Sequence, residues 1–188
     1  MSHHNRLRNA FILSLQLAAL SFLVGCGRND IDPDTSPDQS PPTDFSDKYA
    51  AVLEGYFALS EVFTQSDAEA AAQSASALAN LLEDAGTDDL RGETARFWEN
   101  RRTALLDRAR NIAERDDVED QRYQFEHLSS SMIQVAERFR SPGPVIYVQR
   151  CPMVRGGSAD WLSPDPGIRN PYHGDRMMNC GTTLSEIH

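Results

Sequence analysis

The chain has 188 residues, 40% of them hydrophobic and 24% charged, with a formal net charge of −10. That length suits one folded domain, and the acidic balance argues against nucleic acid or anionic lipid headgroups as partners. No Cys-x-x-Cys, haem-type Cys-x-x-Cys-His, nucleophile elbow or His-Glu-x-x-His occurs, so no enzymatic activity is expected.

At the N-terminus, Arg6 and Arg8 precede an apolar run from Ala10 to Val24. It is too short for a comfortable membrane span but right for the h-region of a secretory signal peptide. The run ends Leu23-Val24-Gly25-Cys26, which resembles a bacterial lipobox. Residues 1–25 are therefore expected to be removed and Cys26 to be lipidated, leaving a periplasm-facing lipoprotein held to the membrane by its anchor. Loss of two arginines makes the mature domain more acidic still. Gly27, rather than Asp, follows the anchor cysteine, which favours the outer over the inner membrane. Residues 26–43 form the expected tether: Asn29 to Thr43 is rich in Asp, Pro and Ser and lacks apolar periodicity.

Residues 44–188 are expected to fold as one domain. Tyr49, Val52, Leu53, Tyr56, Ser60 and Phe63 fall at helical spacing and predict a first helix from about Ser46 to Gln65. Ser66-Asp67-Ala68-Glu69 reads as a capping box opening a second, alanine-rich helix with Ala71, Ala75, Leu78 and Leu82 inward, stopped by Gly86. A third is expected from about Asp89 to Arg115, with Ala95, Trp98, Leu105, Ala109 and Ile112 inward and a mixed-charge solvated face outward. The fourth starts near Asp117 and carries Val118, Phe125, Leu128, Met132, Val135 and Phe139 as far as Ser141-Pro142-Gly143-Pro144, where proline ends it. His127 is expected as a half-buried packing residue. Ser129, Ser130 and Ser131 are expected on the surface, with a polar contact to the C-terminal segment as the alternative. Apolar stripes joined by short turns predict a mainly α fold: an antiparallel four-helix bundle over 44–141 with a C-terminal strand and loop segment, 142–188, packed on it.

In that last segment Val145-Ile146-Tyr147-Val148-Gln149 reads as a strand delivering Cys151. Successive Gly and Pro turn signals then leave little room for regular structure before Met177. Cys151 and Met153 lie on the same side of an extended chain, while Met177 and Cys180, at i and i+3, are brought together by one bend. Thiolate and thioether sulfurs select soft ions such as Cu(I), so Cys151, Met153, Met177 and Cys180 form a candidate metal site. Met178, His173 and Trp161 are secondary candidates, Trp161 being expected in the core. With Cys26 taken by lipid, Cys151 and Cys180 are also an even pair in an oxidising compartment. A disulfide between them would close a loop of about thirty residues and stabilise the fold by roughly 3 to 4 kcal/mol. Metal site and disulfide stay open as equal alternatives.

The residues Tyr147-Val148-Gln149-x-Cys151-Pro152-Met153, Gly157-x-x-x-Trp161-Leu162-Ser163 and Ile168-Arg169-Asn170-Pro171-Tyr172-x-Gly174-x-x-Met177-Met178-x-Cys180-Gly181 together resemble a domain of unknown function, DUF3347. The helices agree through Tyr56-Phe57-Ala58-Leu59 and Phe125-x-x-Leu128-Ser129-x-x-Met132-Ile133. That domain occurs in Gram-negative envelope lipoproteins and at the C-terminus of periplasmic adaptor subunits of heavy-metal efflux pumps. The resemblance implies copper or soft-metal handling, with heavy-metal efflux components as partners. His173 departs from the family pattern, which does not require a ligand there. The competing expectation is an adaptor or scaffold lipoprotein stapled by Cys151 and Cys180 without metal.

Overall fold

The computed structural model describes residues 42–188. The expected signal peptide, the lipidated Cys26 and nearly all of the tether lie outside them. Among the described residues no helix is long and apolar enough to cross a membrane. Four helices come first, α1 (Thr43–Thr64), α2 (Ala68–Asp84), α3 (Gly92–Ala113) and α4 (Val118–Phe139), then three strands, β1 (Ile146–Val154), β2 (Gly157–Ser163) and β3 (Thr182–Ile187). The fold is mainly helical, with a small antiparallel sheet of order β2-β1-β3.

Helix α1 starts at Thr43, ahead of the expected Ser46, because its first turn buries Phe45. That ring meets Trp98 edge-on at 5.2 Å and Phe139 at 5.0 Å, forming an aromatic cluster at one end of the helical core. The Trp98 indole N–H reaches the Ala85 carbonyl at 2.7 Å, satisfying an acceptor just past the end of α2. Gly55 on α1 is a close-approach position: a Cβ there would come within 2.8 Å of Leu81 on α2. The alanine stripe of α2 supplies the matching small surface, with Ala71 and Ala75 fully buried.

The expected capping box is corrected. Asp67, not Ser66, caps α2, its carboxylate accepting from the Ala70 N–H at 2.9 Å. Ser66 sits at φ 58° in the turn before it. Helix α3 is shorter at both ends than Asp89–Arg115, since a turn from Thr87 to Leu90 takes up the residues before it. Asp117 caps α4 through the amides of Glu119 and Asp120. His127 is exposed rather than half-buried, standing edge-on to Tyr123 at 4.8 Å.

The C-terminal segment is more regular than expected. Arg155 and Gly156 both have positive φ, 45° and 81°, the signature of a two-residue type I′ hairpin turn. That turn folds β2 back on β1, pairing Gln149 with Trp161 and Cys151 with Ala159. Strand β3 pairs with the other edge of β1, from Ile146–Ile187 to Arg150–Thr182. Only Ile187 of β3 is buried, so its sequence carried no apolar alternation to announce a strand. Side chains alternate across a sheet: Arg150 and Asp160 line a groove with Glu126, Ser130 and Ile133 of α4. On the other face Gln149, Cys151 and Trp161 are buried, covered by the 164–181 loop.

Candidate functional site

Three buried polar groups on the helices hold the C-terminal segment. The Tyr56 hydroxyl, fully buried on α1, lies 2.8 Å from the Ser129 hydroxyl of α4 and accepts the main-chain N–H of Leu162 in β2 at 3.1 Å. Burial pushes the Tyr56 phenol far above its ordinary value, so it stays a neutral hydroxyl. Ser129 is buried and not on the surface; its partner is Tyr56 of α1, and it is Tyr56 that makes the contact to the C-terminal segment.

Arg122 of α4 is only 4% exposed. Its Nε donates to the Pro171 carbonyl at 2.8 Å, and Nη2 to the Phe63 carbonyl at 2.8 Å and the Ser66 hydroxyl at 2.9 Å. Nη1 donates to Glu119 at 2.9 Å. One guanidinium therefore joins α1, the α1–α2 turn, α4 and the loop after β2, and its burial lowers its pKa. Gly174 closes over this knot at φ 56°, where a Cβ would lie 2.5 Å from the Ser66 hydroxyl and 2.8 Å from Nη2.

Beyond Pro171, the loop that carries the candidate donors is stapled by Asn170, which is fully buried. Its amide N–H donates to the Met178 carbonyl at 2.8 Å, and its side-chain Nδ2 donates to the Cys180 carbonyl at 2.8 Å. Its Oδ1 accepts the Tyr172 N–H at 2.9 Å and its carbonyl the Gly174 N–H at 3.1 Å. Every hydrogen-bonding group of Asn170 is used to close the loop on itself. Within it the Cys180 N–H reaches the Met177 carbonyl at 3.0 Å, so the expected bend between those two residues is present.

The structure brings the two sulfur-bearing segments side by side. The His173 Nε2 lies 2.7 Å from the Met153 carbonyl. At the other end of the loop, a Cβ on Gly181 would stand 2.9 Å from the Arg150 carbonyl and 3.1 Å from the Trp161 ring. The donors differ sharply in access. Cys151 is 0% exposed and Met153 is 53% exposed, while Met177, Met178, His173 and Cys180 are half-buried. Cys151 and Met153 do not share one environment as an unbroken strand would have them do: the ladder with β2 is interrupted between Cys151 and Val154, where Pro152 lacks an N–H. Trp161 is a core residue, 6.0 Å from Tyr172 and edge-on to it.

Cys151, buried, and Cys180, half-buried, are not bonded to one another in the structure. Among the described residues no three His, Cys, Asp or Glu side chains converge on one point.

Sequence reasoning missed Arg122, and it named Asn170 and Gln149 only as members of the family motif, without a role. The signal for Arg122 was available: Val118, Arg122, Phe125, Ser129 and Met132 follow one 4-3-4-3 helical stripe, so a charge and a hydroxyl sit in line with core residues. Gln149 is a polar side chain fully buried in β1, its Nε2 donating to the carbonyls of Asp165, Pro166 and Gly167 at 3.1 to 3.3 Å. Nothing in the strand's sequence distinguished it from an edge glutamine.

A family model described as a protein of unknown function, DUF3347, matches residues 52–142. The match begins inside α1 and stops before β1, so it includes Tyr56, Arg122 and Ser129 but not the sulfur-bearing segment. No curated protein matches the chain, and no solved structure does either.

Proposed function

The chain belongs to the DUF3347 family of unknown function, and from that premise we propose that it is a non-enzymatic, lipid-anchored, periplasm-facing protein that binds Cu(I) or another soft ion. The site is formed by Met153, Met177 and Cys180, with Cys151 as the buried fourth donor, reached when the Asn170-stapled loop lifts from β1. The helices, read as an antiparallel bundle, are the scaffold that fixes the loop. The ion is cargo, taken up for tolerance or passed to efflux components. Supporting this reading is one juxtaposition: the loop carrying Met177 and Cys180 touches the strand carrying Cys151 and Met153, through His173 on the Met153 carbonyl.

Soft ions tolerate two to four sulfur donors in linear to tetrahedral arrangements, so a site with one exposed thioether and two half-buried sulfurs can load without a preformed cage. The test uses the full chain in detergent, reduced, in competition with a chromophoric Cu(I) chelator. Reduced protein is expected to withdraw Cu(I), and Cys180→Ser and Met153→Leu are each expected to weaken it. No withdrawal by the reduced chain would sink the proposal. Alkylation of the native protein adds an independent readout: Cys180 is expected to react first and Cys151 only on unfolding or loop opening. Two unreactive thiols released together by reductant would instead favour the stapled scaffold.

A further inference from the structure

We infer that His173 is a nitrogen ligand of this soft-metal site, presented through Nδ1, which makes the donor set mixed nitrogen and sulfur. The inference rests on the metal-binding reading above and follows from which atom holds the ring. The partner of Nε2 is the main-chain carbonyl of Met153, at 2.7 Å. A carbonyl only accepts, so the proton of the neutral imidazole is on Nε2 and the lone pair is on Nδ1. This is how a metal-binding histidine is oriented: the nitrogen away from the ion donates to a carboxylate or backbone carbonyl, which fixes the tautomer and raises the basicity of the other nitrogen.

The residue that orients the ring is itself a candidate ligand. Met153 holds His173 with its carbonyl and is itself an exposed residue. On the other side, His173 immediately precedes the one-turn 3-10 segment Gly174–Arg176, and Met177 immediately follows it. That turn is anchored on Asn170 and on the buried Arg122 knot beneath Gly174. His173 is half-buried, so its free nitrogen is held by a rigid base without being sealed off. The donors of the proposed site that flank His173 are Met153, whose carbonyl it holds, and Met177 and Cys180 beyond the 3-10 turn, with Cys151 buried behind them. Such a set suits Cu(I) and Ag(I).

The experiment uses the full chain in detergent, reduced, labelled with ¹⁵N at histidine and ¹³C at the methionine methyls, with silver nitrate as a redox-inert stand-in for Cu(I). Long-range ¹H–¹⁵N correlation of the free protein is expected to show His173 as the Nε2–H tautomer. Added Ag(I) is expected to shift Nδ1 of His173 strongly while Nε2 keeps its proton, together with the methyls of Met153 and Met177. His173→Gln should remove the nitrogen response and weaken Ag(I) while leaving the melting temperature unchanged. Three results would overturn the inference: an Nδ1–H tautomer in the free protein, methionine methyls that respond while His173 does not, or a His173→Gln protein that binds Ag(I) as tightly as the parent. The second leaves the sulfur site standing. Silence from both histidine and methionines removes the sulfur site as well.

Discussion

Replacing Tyr56 by phenylalanine removes one oxygen atom from the core and tests how the sheet is held. The ring of Tyr56 stacks on Phe125 at 5.4 Å and would be kept. What is lost is the only side-chain partner of the Leu162 N–H on the outer edge of β2, and the partner of the Ser129 hydroxyl. Both are buried and no water can replace the phenol without opening the core. An orphaned buried donor costs about 1–3 kcal/mol. The serine can turn its hydroxyl toward a carbonyl of its own helix, so it should add little. A loss of about 2 kcal/mol in a folded part of this size lowers the melting temperature by roughly 4–8 °C. Ser129→Ala, which leaves the Tyr56–Leu162 bond intact, should cost less, about 1 kcal/mol, and the double variant should be less destabilised than the sum, because the two share one network. Thermal and urea denaturation followed by circular dichroism would measure all three. A Tyr56→Phe protein within about 0.5 kcal/mol of the parent would refute the claim that this hydroxyl docks β2.

Gly174→Ala introduces a Cβ at φ 56° facing the Ser66 hydroxyl, the Arg122 guanidinium and the Thr64 carbonyl, the last at 3.0 Å. Backbone strain alone is worth about 1–3 kcal/mol, so the variant should be clearly less stable and its 170–180 loop cut faster in limited proteolysis; an unchanged melt and digest would contradict the packing described. The Glu61–Arg169 pair ties the same loop to α1 at the surface. The hydrogen bonds from Arg169, ahead of partial burial acting the other way, hold the Glu61 carboxyl below its ordinary range. A carboxylate lowered in the folded state stabilises above its unfolded value, about 4.3, and loses that contribution as pH falls through the folded one. Glu61→Gln should therefore cost less than about 1 kcal/mol at neutral pH, less in high salt, with the two proteins converging in acid; a constant difference across pH 3 to 7 would mean that the effect is not electrostatic.

The helices were legible because their apolar positions recur at helical spacing and their caps and breakers are local. Tyr49, Val52, Trp98, Leu105, Phe125 and Val135 are all buried as their stripes indicate. The hairpin and β3 were hidden for opposite reasons. Gly156 and Gly157 were visible as a turn, but the strand beyond is half polar, and β3 is exposed along nearly its whole length. Strand identity there comes from pairing with β1, a long-range property. In the candidate site, the soft donors and the Met177–Cys180 bend could be read directly. The burial of Cys151 and the exposure of Met153 could not, because a break in register at Pro152 decides them.

Tyr56 and Arg122 grip the C-terminal segment by its main chain: an N–H of Leu162, a carbonyl of Pro171. Any amino acid except proline offers that N–H, and every residue offers that carbonyl. At these two points the helices recognise a conformation and make no demand on the side chains of Leu162 and Pro171. Half-buried loop positions such as Met177 and Met178, which lie outside these main-chain contacts, can be exchanged by drift or by design while the latch that seats the loop stays engaged.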